Sequence, residues 1–450
     1  MRSFGLAVAV AAAALTGCVK YHARPLDAVR TEQEFRARSL RDPGLAAYLK
    51  RADWPPAKLG LDDLSAAAIY FNPELELARA QFRTAQAAIL TAKGRPNPSI
   101  ATGGGWTNSP ESPLAFHLDP TITLETAGKR GLRILEAEKR TEAARIAVEE
   151  AAWRVRSRVR AAWLDYVMAQ RMLNQLRGER AARAENAAIL EKRLSAGEAS
   201  LPEVNTARTA LIATEVEAKA GETAIGEAAA TLAAAVGLPS LPDVDTAALP
   251  ATPAAPPLAT VQKAGLLHRA DVRRSLLEYA AAEADLHLEV ANQYPNVDLS
   301  PSYAFEEGYH MIMFGPALAL PLLNRNQGPI AEAEARRAEA EVRFKGLQAQ
   351  AIGDMETALA RYRGSLAELA EAEGRLGNLQ QVREAAMRRA VAAGEEDRLA
   401  LAGVRLEAAA AARARLDALR RVQSAFGALE DAVQQPLEPG RAMPLPEIKP

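Results

Sequence analysis

The chain is written twice. At a spacing of about 197 residues, Asn72-Pro73-Glu74-Leu75 aligns with Arg269-Ala270-Asp271-Val272, Pro120 with Pro316, Gly131 with Gly328, and Ala196-Gly197-Glu198 with Ala393-Gly394-Glu395. Pro96-Asn97 returns as Pro295-Asn296 after a two-residue slip. The fold must therefore be a pair of like units, a first repeat over 62–236 and a second over 262–433. Between them the stretch 237–260 holds six prolines, which is linker composition. The segment 18–61 and the Pro-rich tail 434–450 read as extended wrapping segments.

Each half predicts the same order: helix, strand hairpin, very long helix, tight turn, helix. The first helices run over 62–95 and 262–293, and the long ones over 130–195 and 327–392. At a rise of about 1.5 Å per residue, each long helix approaches 100 Å. Ile352, Met355, Leu359, Tyr362, Leu366, Leu369 and Leu376 keep three-four spacing, a heptad seam that asks for a partner helix and a left-handed supercoil. Val155, Val159, Trp163 and Val167 form a looser stripe in the first half. Gly197 and Gly394 stand where a helix closes on a left-handed residue. Ser200 and Glu203 have capping-box spacing, with Pro202 in the first turn. Each long helix should thus fold back into an antiparallel hairpin, over 130–236 and 327–433. Glu198 marks one tip, and Glu395, Glu396 and Asp397 mark the other.

The segments 97–125 and 296–322 contain no lysine or arginine. Val297, Leu299, Pro301, Tyr303 and Phe305 alternate with Asp298, Ser300, Ser302, Ala304 and Glu306. Phe116, Leu118, Pro120, Ile122 and Leu124 alternate with His117, Asp119, Thr121 and Thr123. Period-two alternation of this length marks a strand with one lipid face and one water face. The companion strands, near 98–107 and 310–320, alternate less cleanly. Four strands cannot close a barrel alone, and an open edge in lipid leaves backbone groups unpaired at several kcal/mol each. Closure would require oligomerisation, and three copies would supply about twelve strands. Asp119, Glu125, Asp298 and Glu306 fall on the polar side and would line the lumen. Pro120 and Pro316 each remove a ladder donor, which suggests bulges or a place near the rim.

The N-terminus suggests export. Arg2 precedes an apolar run from Phe4 to Leu15 that is too short to span a bilayer, and the run ends in Leu15-Thr16-Gly17-Cys18. This is signal-peptide grammar, and the ending resembles the lipobox of bacterial lipoproteins, which implies cleavage after residue 17 and lipidation of Cys18. Cys18 is the only cysteine, which excludes intrachain disulfides and thiolate metal clusters. Basic and acidic residues balance at 55 and 56, so nothing favours a nucleic-acid partner. An alanine-dominated chain that is 49% apolar and only 5% aromatic suits long, closely packed helices.

Taken together, the repeat, the Asn72-Pro73-Glu74-Leu75 opening, the strand pairs and the twin turns resemble the TolC-type outer membrane factor family over essentially the whole mature chain. Leu124 to Arg133 (LETAGKRGLR) is similar to the stretch entering the long helix in the heavy-metal, CzcC- and CusC-like branch. The resemblance implies a mainly α chain with a small β part, trimerising into a twelve-stranded β-barrel on an α-helical periplasmic tunnel. It implies docking of the tips, at Gly197, Glu198, Gly394, Glu395, Glu396 and Asp397, onto a periplasmic membrane-fusion adaptor. An inner-membrane RND transporter is the implied energy source, and outer-membrane lipid the implied surroundings. One departure matters: family gates carry acidic rings beyond the second turn, whereas Leu399 to Leu406 contains no acid.

Other clusters read more plainly. Met311 and Met313 share a strand face taken here as lipid-facing, with His310 on the other side, so a soft-metal site is not expected. Arg154, Arg156, Arg158 and Arg160 read as a solvated helix face. No catalytic triad, phosphate loop or zinc pattern is present, so the expectation is a passive duct with no cofactor and no enzymatic activity. The alternatives are a periplasmic coiled-coil scaffold or adaptor lipoprotein, and a duct for drugs or type I secretion.

Overall fold

A computed structural model describes residues 19–437, apart from 51–53, 57, 107, 109–112 and 247–248. The signal segment, Cys18 and the tail beyond residue 437 lie outside the described residues. The segment after residue 18 is not wholly extended, since it carries the short helices α1 (Ala28–Arg36) and α2 (Pro43–Leu49). The first repeat then runs α3 (Leu61–Phe71), α4 (Pro73–Lys93), β1 (Ser99–Trp106), β2 (Leu114–Leu124), α5 (Lys129–Ser195) and α6 (Leu201–Val236). The second runs α7 (Leu258–His268), α8 (Ala270–Ala291), β3 (Val297–Glu306), β4 (Tyr309–Leu318), α9 (Gln327–Glu371), a π-helical turn (Ala372–Gly377), α10 (Asn378–Ala393) and α11 (Arg398–Val433). The chain is mainly helical, and its strands form one small antiparallel sheet. Among the described residues no helix is long and apolar enough to cross a membrane.

The opening helix of each half, expected as one element, is two, and the breaks are chemically equivalent. Asn72 is extended; its Oδ1 accepts from the Glu74 amide at 2.9 Å while Pro73 opens α4. Its Nδ2 donates to the Ala235 carbonyl in the last turn of α6, at 3.1 Å. At the matching place Arg269, buried and braced by Asp271, donates from Nη1 to the Ala432 carbonyl of α11 at 3.0 Å. Two different side chains thus tie the same break to the same carbonyl position. Asn72→Ala removes both a cap and a partner for a helix-terminal carbonyl. It should cost about 1–2 kcal/mol, read as a lowered midpoint in thermal unfolding.

The heptad seam is buried where it crosses α11. Met355 and Tyr362 are fully enclosed, and the Tyr362 ring packs 5.3 Å from Phe426. The proline-rich connection lies against this core: Pro253 accepts from the Tyr362 hydroxyl at 2.5 Å, and Pro250 from Gln423 Nε2 at 2.7 Å. The stripe from Val155 to Val167 is buried in the first half's core, among residues of α3, α4 and α6.

Two expectations fail along the long helices. The second is not continuous to residue 392: the π turn interrupts it where the apolar seam runs out, and that turn contains Gly374 and Gly377. Glycine stabilises a helix poorly, and with little packing to hold the ladder it can slip to the wider π pattern. The arginine run is also only half solvated. Arg154 and Arg158 do reach Glu74 at 2.9 and 2.8 Å. Arg156 and Arg160, each 7% exposed, turn inward onto Glu430 of α11, which is 1% exposed. Burying two guanidinium groups requires such a partner, and no local pattern reveals one that lies in the other half.

Candidate functional site

The sheet has the order β1-β2-β3-β4, antiparallel throughout, so the β2–β3 seam joins the two halves. Side chains of directly paired residues share a face. Phe116 pairs with Phe305, Leu118 with Tyr303, Ile122 with Leu299 and Leu124 with Val297, which assembles one apolar face. Among the described residues nothing covers it: Phe116, Leu118, Ile122 and Leu124 of β2 and Ile312, Phe314 and Leu318 of β4 are all exposed. Tyr303, Phe305 and His310 cluster at one end, with the Tyr303 hydroxyl 2.7 Å from His310 Nδ1. An aromatic group at the margin of an apolar band is the arrangement of a membrane strand girdle.

The opposite face is polar and bonded to itself. Ser302 donates to Asp119, Thr121 and Ser300 hydroxyls meet at 3.1 Å, and Thr123 donates to Asp298 at 2.6 Å. These links bridge the place where the β2–β3 backbone pairing lapses, between Leu118↔Tyr303 and Ile122↔Leu299. The prolines explain the lapse. Pro120 and Pro301 sit across from each other, so the two residues without an N–H leave a single shared gap. The register is the same on both sides of it, so Pro120 is not in a bulge. Pro316 lies on the edge strand β4, opposite Leu299, and is not bulged either.

Asp119, Asp298 and Glu306 therefore share the polar face, whereas Glu125 is placed differently. It lies one residue beyond β2 and is ion-paired with Arg133, the second contact being Arg133 Nη2 to Oε2 at 3.0 Å. That hydrogen bond holds the Glu125 carboxyl below its usual range, so it is a balanced structural charge. The surrounding motif is a junction between the halves. Lys129 Nζ donates to the Tyr294 carbonyl at 2.5 Å and to Asn296 Oδ1 at 2.7 Å, and Thr126 donates to the Pro295 carbonyl at 2.7 Å. The methionines also correct the sequence reading. Met311 pairs with Ala304 and Met313 with Ser302, which sets both on the polar face with Asp119 and Asp298. Their alternation is opposite to that of Ile312 and Phe314, and only the register exposes it.

The helical tips form the second region. Gly197 and Gly394 have φ of +79° and +78°, a left-handed conformation that suits glycine. Both close their helices alike: Glu198 N–H donates to the Arg193 carbonyl at 2.8 Å and Glu395 N–H to the Ala390 carbonyl at 2.9 Å. The Ser200–Glu203 capping box is formed in both directions. Asp397 caps α11 through the Ala400 amide at 2.7 Å, and it accepts from Arg193 Nη2 of the other tip at 2.6 Å. Glu198, Glu395 and Glu396 are exposed; Asp397 is therefore a cap and a tie more than a member of a free acidic ring.

The Ala400 amide, then Arg193, lower the Asp397 pKa. A depressed carboxylate contributes stability above its unfolded value and loses it as pH falls through its own lower value. Tip amide exchange, corrected for intrinsic rates, should be alike at about pH 6 and 8 and faster near pH 3. Asp397→Asn should remove most of that difference.

Among the described residues, no three His, Cys, Asp or Glu side chains gather as a metal site. The family model described as outer membrane efflux protein matches residues 64–238. The cobalt-zinc-cadmium resistance protein CzcC of Cupriavidus metallidurans is 27% identical over 266 residues, 58% of this chain and 62% of that relative's length. The alignment thus spans less than two thirds of the relative. Solved structures give the fold for most of the chain. The outer membrane protein VceC of Vibrio cholerae matches with a TM-score of 0.68 at 20% identity, over 84% of this chain and 97% of its own. CusC gives 0.68 at 17% identity over 84% and 93%. The CmeC outer membrane channel of Campylobacter jejuni gives 0.68 at 14% identity over 95% of each.

Proposed function

We propose that the chain is a member of the outer membrane efflux protein family, whose model matches residues 64–238, and that it is the outer-membrane exit duct of a tripartite efflux system. Three copies join β4 to the next copy's β1, closing about twelve strands into a barrel with the uncovered apolar face toward lipid. The helical hairpins of the three copies form a periplasmic tunnel beneath. An inner-membrane RND transporter supplies the energy, a periplasmic adaptor grips the tips around Gly197, Glu198, Gly394, Glu395 and Glu396, and the duct conducts passively. Lipidation of Cys18 anchors the same chain to the outer membrane.

One observation carries this reading: a sheet with an apolar face and two edges left open among the described residues, set on a helical part whose longest helix, α5, runs about 100 Å. In water that face would aggregate, and in lipid those edges would each leave several backbone groups unpaired. Edge-to-edge closure answers both costs. Metal cations are the proposed cargo, favoured by the metal-resistance name of the CzcC relative and by Asp119 and Asp298 on the polar face.

Fractionation tests the duct. A trimer resistant to detergent in outer-membrane fractions is expected, and a monomer freed by removing the lipid would instead indicate a periplasmic scaffold. Deleting the gene should sensitise cells to metals. Sensitivity to hydrophobic drugs alone would reassign the cargo.

A further inference from the structure

We propose that the helices of neighbouring copies meet in an uncharged version of the seam that joins the two halves inside one chain. Leu77 of one copy lies against Leu347 of the next, and Val216 against Leu376. The inference rests on the duct reading, which sets copies side by side, and it assigns the helix faces that join them and the chemistry of the joint.

The repeat supplies the geometry. Helix bounds in the two halves correspond at a spacing of 197 residues, Leu61–Phe71 with Leu258–His268 and Leu201–Val236 with Arg398–Val433. The main packings within the first half recur in the second: α4 on α5 as α8 on α9, and α5 on α6 as α9 on α11. The packings between halves do not recur. Helix α5 lies against α8 and α11, whereas among the described residues no such packing joins α9 or α10 to α4 or α6. A surface that is occupied in one half and vacant in its repeat is where the first half of the next copy fits, and the repeated step closes a ring.

The residues at the two kinds of seam differ in pairs. Inside the chain Arg274 reaches Glu150 at 3.0 Å and Arg413 reaches Glu179 at 3.3 Å. At the 197-residue spacing, Leu77 stands for Arg274 and Leu347 for Glu150, while Val216 stands for Arg413 and Leu376 for Glu179. The tie between the tips, Arg193 to Asp397, becomes Ala390 and Ser200. The buried Arg156, Arg160 and Glu430 become Gly353, Thr357 and Ala233. Faces that met only water would have no reason to lose both charges of a pair together. Faces that meet each other do, because one charge left at a closed joint costs more than none. Leu77 and Val216 are 60% and 65% exposed, and Leu347 and Leu376 half-buried, so each contact has an apolar group still to be covered. Glu76 and Arg208, at the places of Arg273 and Arg405, keep their charge, and each is paired on its own side, with Arg79 and Arg83 and with Glu191. The two seams therefore reject each other's partners: an apolar edge set on the charged seam would bury unpaired charge.

The test uses the full-length chain in outer-membrane fractions, treated with a short bismaleimide and run on denaturing gels. Leu77→Cys/Leu347→Cys should give covalent dimers and trimers, at least tenfold more than either single variant or the wild type with Cys18 alone. Glu150→Cys/Arg274→Cys, the same site inside one chain, should stay at the monomer mass. A second readout avoids cysteine chemistry. Leu347→Glu should lower the trimer surviving mild heating at least tenfold, and Leu77→Arg added to it should restore the trimer to within threefold by rebuilding the ion pair of the inner seam. An intact trimer whose double-cysteine variant gives no product between copies would overturn the inference and leave the duct standing. If the wild-type chain itself is a monomer without a barrel, the duct reading fails and this inference falls with it.

Discussion

Glu430→Ala should destabilise the chain by about 3–5 kcal/mol, the cost of leaving buried charge without its partner. Glu430 is 1% exposed and serves three donors: Arg156 at 3.2 Å, Arg160, and the Leu437 amide at 2.9 Å. Both guanidinium groups are also packed on aromatic rings. Arg156 lies 4.9 Å from the Trp153 centroid and Arg160 5.0 Å from that of Phe426. Removal of the carboxylate takes their shared buried anion from two guanidinium groups in a site that water barely reaches, and neither can deprotonate at neutral pH. The contact joins α5 of the first repeat to α11 of the second, so the loss should appear as early separation of the halves. A graded comparison isolates the charge. Replacing all three residues together, as Arg156→Met, Arg160→Met and Glu430→Leu, should be far milder than Glu430→Ala, because a well-packed apolar substitute for a buried ion pair is often neutral. Denaturant unfolding of the three proteins decides it. A Glu430→Ala loss below about 1 kcal/mol would mean that water reaches the cluster and solvates the arginines.

That cluster also marks where sequence reasoning stops. The repeat, the hairpins and the alternating strands are local or periodic, and periodicity survives in sequence because it follows from helix and strand geometry. The break at Asn72 had a local signal, an asparagine before a proline, yet the long apolar pattern around it read as one helix. Its counterpart at Arg269 had none, since an arginine does the work there by reaching a distant carbonyl. Arg156 and Arg160 looked like any basic helical face because their partner lies in the other repeat. The same limit applies to the sheet. Alternation tells which residues of one strand share a side, whereas the side belonging to Met311 and Met313 is fixed only by pairing with β3. At Glu125 the acidic residue was plain and its function was not, because Arg133, in the second turn of α5, neutralises it. Glu125 apart, whose partner is eight residues away, what could not be read was a contact between distant segments.

Leu118→Arg should abolish assembly into the outer membrane, whereas Thr121→Arg, three residues along on the same strand, should not. Leu118 pairs with Tyr303 near the middle of the apolar face. An arginine facing lipid near the bilayer midplane costs about 2–4 kcal/mol, and in a closed trimer the penalty falls on every copy at once. Thr121 shares its face with Ser300 and Asp298. An arginine there meets water and carboxylates, so its effect should be on what passes: reduced conductance for cations in planar bilayers, with the trimer intact on gels. The pair of variants separates the faces, because each places the same guanidinium on the same strand and the face it meets is what differs. Equal tolerance of both would mean that the apolar face does not meet lipid, and the sheet would then need a protein cover. Equal loss would place Thr121 in packing between copies, as would happen if the barrel closed too tightly to hold water. The opposite pattern, with Thr121→Arg lost and Leu118→Arg assembled, would invert the barrel and with it the lumenal placement of Met311 and Met313.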